Sequence, residues 1–181
     1  FCVLITGIPL GIRYYLVTAT VDQETQLQRI EGTILVHEAG GNKPTGVTDS
    51  AVLSPGTEVI LDAAARGTLD FFDRSHVTLY NNTNVELGEV KAPRYRVSAL
   101  PNRVVLHLHA GLARVGVALP GERETDFRII TPHTTISLAE GSYRIEVAND
   151  TTQITCIWGA DCMALPKPSL LFTERQQNML T

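Results

Sequence analysis

The chain lacks most of the features by which catalytic or nucleic-acid-binding proteins declare themselves. It has no block of like charge: 15 Lys+Arg stand against 19 Asp+Glu, a net charge of −4. Without a basic stripe nothing displaces counterions from a phosphate backbone, so nucleic acid is excluded as a partner. There is no G-x-S-x-G elbow, no phosphate-cradling Gly-rich loop and no H-E-x-x-H pair. A non-enzymatic protein without a cofactor is therefore expected. The three cysteines, Cys2, Cys156 and Cys162, are too few for a disulfide framework, and a domain of this length does not need one. Cys156 and Cys162 could bridge if their strands adjoin in an oxidising compartment; otherwise they are two separate small residues. Aromatics make up 6% of the chain, and Tyr80, Tyr95 and Tyr143 are dispersed, so the clustered rings of a glycan-binding groove are not evident.

Few side chains suggest a site. His107 and His109 stand at i and i+2, on one face of a strand, but no third metal ligand lies nearby in sequence, and a solvated strand face explains them better. Asp62, Asp70 and Asp73 lack the alternating oxygens and the Gly of a calcium loop; Asp73 fits a turn between GTLDFF and SHVTLY. Trp158, the single tryptophan, is expected to fill the core or a domain edge.

The first twelve residues, FCVLITGIPLGI, hold no charge and end at Arg13, Tyr14 and Tyr15. An Arg followed by two amphipathic rings is the composition of a membrane–water boundary. Residues 1–20 are thus expected to be a transmembrane anchor contacting the bilayer, the end of a longer span that begins before Phe1, with Arg13, Tyr14 and Tyr15 at the interface. A secretory signal with a small-residue site at 17–19, or a buried core segment, are the other two readings. Residues 21–28 are polar and free of Gly and Pro, and are expected to form a stalk, helical or extended.

Beyond the stalk the pattern changes to short runs of β-branched and alternating residues bounded by Gly, Pro, Asn or Asp. Strands are expected at 29–36, 58–61, 68–72, 76–80, 84–87, 95–98, 103–109, 113–119, 127–131, 135–138, 143–147, 153–158 and 169–172. Such spacing indicates an all-β fold, a jelly-roll-like sandwich or a β-solenoid, with no helix interrupting it. The Gly-Thr pairs at 32, 56 and 67 hint at stacked, similar units. One β-domain over 29–165 and a C-terminal extension over 166–181 follow, the extension opening on Pro166-Lys167-Pro168.

The runs RIEGTILV, AVLSPGTEVI, RGTLDFFDRSHVTLYNNTNVEL, RVVLHLHAGLARVGVAL, FRIITPHTTISLAEGSYRIEV and TQITCIWG, in that order, resemble the FecR-type domain of bacterial extracytoplasmic proteins. Arg74 stands where that pattern has Gly in an Asp-Gly-Ser turn, and Ser142 where it has Thr. The resemblance implies an all-β interaction domain outside the cytoplasm and carries over no catalytic residue. The expected function is a single-pass membrane protein whose β-domain binds other membrane-protein subunits, as an accessory or scaffold subunit. The alternatives are a transmembrane regulator of the anti-sigma type, which relays a signal, and a glycan-binding envelope module.

Overall fold

A computed structural model of the chain describes residues 12–41, 43–119, 121–148, 150–159 and 169–173. Helical residues 12–18 lead into fifteen strands: β1 Thr20–Asp22, β2 Thr25–Glu31, β3 Ile34–His37, β4 Thr45–Gly46, β5 Ser50–Leu53, β6 Glu58–Leu61, β7 Arg66–Asp70 and β8 His76–Leu79. There follow β9 Asn84–Pro93, β10 Asn102–Val117, β11 Thr125–Ile130, β12 Thr135–Leu138, β13 Gly141–Ala148, β14 Thr151–Gly159 and β15 Ser169–Thr173. The fold is all-β, as the alternation requires.

The strand that organises the fold is β10. Its first half pairs with β9 and, in parallel, with β11; its second half pairs with β8 and β13. One sheet therefore runs β4-β3-β6-β9-β10-β11-β12, the other β5-β2-β7-β8-β10-β13-β14-β15, and the two share a strand. The result is a single curled sheet folded into two layers. Sequence reading divides β10 into two strands because HAG interrupts the alternation. The division is physical: the change of sheet comes at Gly111, whose φ of +97° and close approach to the Thr83 backbone leave no room for a side chain. The β10–β11 pair is parallel, and the second half of β10 together with the loop that follows supplies the crossover that parallel neighbours need. All other pairs are antiparallel, the pairing of a sandwich rather than a solenoid.

Between the layers lies a continuous core. Val59, Val85, Leu87, Leu106, Leu108, Phe127 and Ile129 from the first sheet meet Leu27, Leu69, Leu79, Val115 and Ile145 from the second, all essentially buried. Phe71 and Phe127 join the layers edge to face at 5.7 Å. The three Gly-Thr pairs turn out to serve different needs. Gly32 and Gly56 take positive φ in turns, whereas Gly67 is buried within β7, where a Cβ would press on Ile34 Cδ1 at 2.7 Å. Buried polar groups are also stitched across: His133 Nδ1 lies 2.9 Å from Thr152 Oγ1, which donates to Thr131 Oγ1 at 3.0 Å, tying the β11–β12 turn to β14.

Three expectations are corrected. The stretch 21–28, expected as a stalk, belongs to the domain: β1 pairs with the end of β9, and Thr25 and Leu27 of β2 are fully buried. A polar sequence folds here because only every second residue faces the core. The domain thus begins near Thr20, not at 29, and β15 of the expected C-terminal extension pairs with β14. Residues 95–98, expected as a strand, form a bend and turn. Residues 1–11, which carry most of the expected anchor, lie outside the described residues, as do Pro166-Lys167-Pro168. Among the described residues no helix is long and apolar enough to cross a membrane.

Candidate functional site

The helix does not merely precede the sandwich; its last turn is docked onto it. Thr18 Oγ1 donates back to Tyr14 O at 2.8 Å and Ala19 N to Tyr15 O at 2.9 Å, closing the helix. The chain then enters β1, where Thr20, Val21 and Asp22 face Pro93, Ala92 and Lys91. Arg94 N donates to Ala19 O at 2.9 Å, and Gln23 N to Val90 O at 2.8 Å. A short edge strand thus fixes the direction in which the helix leaves the domain.

The loop after β9 folds back against the helix end. The Tyr15 and Tyr95 rings meet edge to face at 6.1 Å, and the Arg94 guanidinium lies 5.9 Å from the centre of Tyr95. Ser98, 4% exposed, donates Oγ–H to Val17 O at 2.5 Å. The loop is in turn held from the β10–β11 crossover: Arg123 Nη1 donates to Ser98 O at 2.6 Å and Leu100 O at 2.7 Å. A guanidinium joining two carbonyls fixes the loop more tightly than neutral donors would. Helix, loop and crossover therefore form one joint. The ends of β9 and β11 are thus connected to residues 12–18 through β1, Tyr95 and Ser98. Exposed apolar side chains surround it: Ile12, Tyr14, Val97 and Leu100.

Arg13, Tyr14 and Tyr15, the expected membrane-interface residues, lie in this helix, all exposed, and Tyr15 spends one ring edge on Tyr95. Sequence reading missed Tyr95, Ser98 and Arg123, because an isolated Ser or Arg in a loop carries no signal of its distant partner. Cys156, buried on β14, is disulfide-bonded; Cys162, its expected partner, and Cys2 lie outside the described residues. The His107 and His109 rings stack at 6.4 Å, with His109 Nε2 3.5 Å from Glu86. Among the described residues no three His, Cys, Asp or Glu side chains converge as metal ligands. Asp73 holds its turn, accepting from Ser75 N and Ser75 Oγ, each at 3.0 Å. Trp158 is not a core filler but 63% exposed.

Comparison with known proteins adds the following. The family model described as FecR protein matches residues 57–160, more than half of the chain. No curated protein matches. A crystal structure assigned as an anti-sigma factor from Parabacteroides distasonis ATCC 8503 is similar at 12% identity and a TM-score of 0.41, over 63% of this chain and 49% of that one. The chain thus spans about half the length of that solved relative, and the likeness is too loose to argue from.

Proposed function

Because the chain belongs to the FecR protein family, we propose that it is the receiving β-domain of a membrane-anchored, non-enzymatic regulator of the anti-sigma type, placed outside the cytoplasm. A protein partner engages the sandwich, and the joint passes the resulting shift to the segment that precedes the domain. The observation that supports this reading is the bond from the buried Ser98 to the half-buried Val17, held from behind by Arg123. A domain that served only as a tethered anchor point would need no such bond to the last turn of its own tether. Arg13, Tyr14 and Tyr15 set that segment at the headgroup level on this reading.

The test separates relay from binding. Ser98→Ala deletes the bond to Val17 while leaving the sandwich core untouched. Cells carrying the full-length protein and a reporter driven by its cognate sigma factor are expected to lose the response to inducer, with β-sheet circular dichroism unchanged. A normal response from the variant would remove the joint from the mechanism.

The accessory-subunit reading is supported by one observation, the exposed apolar residues Ile12, Tyr14, Val97 and Leu100 around the joint. It predicts stable co-migration with other membrane subunits in mild detergent, whatever the reporter does.

A further inference from the structure

The outward face of the second sheet holds a groove that the relay does not use. It is a concavity of about 440 Å³ lined by Arg66, Arg74, His76, Tyr80, Arg114 and Trp158, among others. Strand pairing brings these residues together from β7, β8, β10, β14 and the β7–β8 turn: Gly116 faces both His76 and Ser142, and Arg114 faces Thr78. The floor is backbone at Gly116, where a Cβ would overlap the His76 ring.

Three features give the groove its chemistry. First, its cations are not neutralised: Arg66, Arg74 and Arg114 form no ion pair among the described residues, Arg114 Nε donates only to the neutral Ser142 Oγ at 3.5 Å, and no carboxylate is among the groove's described lining residues. Asp70 stands opposite His76 in register, at the edge, and the Asp73 carboxylate is engaged by Ser75. Second, Arg66 Nε is buried with no hydrogen-bond partner among the described residues, while its guanidinium lies 5.0 Å from the Tyr80 ring centre. An unsatisfied buried donor is costly unless something supplies an acceptor. Third, Arg74 is held at φ +71°, a left-handed conformation that is unfavourable for a side-chain-bearing residue. The turn keeps it there, with Phe71 N bonded to Ser75 O at 3.0 Å and Ser75 Oγ accepting from Ala118 N at 3.1 Å. Strained residues of this kind cluster at ligand clamps and switch regions.

We infer that this groove binds an acidic peptide segment of a protein partner, its carboxylates on Arg66, Arg74 and Arg114 and an apolar side chain against Trp158 and Tyr80. Guanidinium groups match carboxylates in paired geometry, and Arg, Trp and Tyr are the residue types that dominate protein–protein binding energy. The charge complementarity is local: the chain as a whole is acidic, so an acidic partner finds its attraction here and repulsion elsewhere. The inference rests on the relay reading only for where the partner comes from, since binding itself is measured without any signal.

Trp158 is the only tryptophan and so reports on the groove directly. The 181-residue chain is titrated with a short peptide alternating Glu and Leu, with its Gln counterpart, with free glutarate, with an anionic glycan and with vesicles of phosphatidylserine. A saturable change in Trp158 emission with the Glu peptide, weakened by salt and absent with the Gln peptide, is expected. Arg114→Gln should weaken binding about tenfold or more. Arg74→Gly removes a guanidinium while relieving the strained turn, so it should bind more weakly yet melt higher, a combination that a purely structural role for Arg74 would not produce. Equal binding of the Glu and Gln peptides, no response to either, or a response to glutarate, glycan or vesicles at least as strong as to the Glu peptide would each overturn the inference. A peptide that binds while Ser98→Ala signals normally would refute the relay and leave the groove standing.

Discussion

On the outward face of the first sheet, Glu89 lies 3.5 Å from Arg103 and 3.7 Å from Lys91, Asp126 lies 2.8 Å from Arg128, and Glu86 and Glu58 each face a histidine. On the outward face of the second sheet Glu146 lies 3.4 Å from Arg144, while Arg66, Arg74 and Arg114 stand together with no ion pair among the described residues. Both faces belong to the same curled sheet and share β10, so the difference lies in which side chains each face presents. A face whose charges are matched within the chain offers a partner little electrostatic gain. A face with unmatched guanidinium groups gains on contact with carboxylates, and its solvation is what the partner must replace. On the inference drawn above, recognition falls to the second sheet, and the first sheet's charges answer one another.

The largest perturbation attacks what both faces have in common. Phe127 packs between the layers against Phe71 and is 1% exposed. Phe127→Ala should cost about 3–5 kcal/mol, read as a lower urea midpoint, and should abolish groove binding and joint together because the layers no longer hold one another. If groove binding survives with full affinity, the two sheets are less interdependent than the shared core implies. Gly111→Ala comes next. The positive φ and the approach to the Thr83 backbone add to a cost of about 2 kcal/mol or more. Both faces should weaken in step, because the turn of β10 sets their relative orientation.

Much of this was legible in the sequence, and the parts that were not have a common cause. Expected strands at 58–61 and 135–138 coincide with β6 and β12 because Gly, Pro or polar turn residues bound them on both sides. The all-β class and the family resemblance follow from such local signals. The β1–β2 segment escaped because its few buried residues, Thr25 and Leu27 above all, are interleaved with Gln and Arg. Residues 95–98 looked like a strand, yet Tyr95 and Ser98 face the helix end, a contact separated by 81 residues in the Ser98–Val17 case. The groove is less local still. Its residues come from five strands and a turn, and Trp158 gains its meaning only beside Arg114 and His76.

Smaller effects sharpen the contrast between the faces. Arg74→Gly should raise stability by about 1–2 kcal/mol, since Gly adopts φ +71° without strain; a higher melting temperature is the measurement. A fall in stability would mean that Arg74 makes compensating contacts and is not held under strain.

The smallest effect is expected where the charges are already matched. Glu89 bridges Lys91 and Arg103, but its side chain is 41% exposed and water screens both pairs. Exposed pairs of this kind contribute about 0–1 kcal/mol. Glu89→Gln should therefore shift the urea midpoint only slightly, and added salt should erase even that shift. It should leave the Trp158 response to the acidic peptide unchanged, because Glu89 lies on the opposite layer. A tighter response would be the informative failure. It would show that long-range potential from the first sheet reaches the groove, and that the two faces are electrostatically one surface.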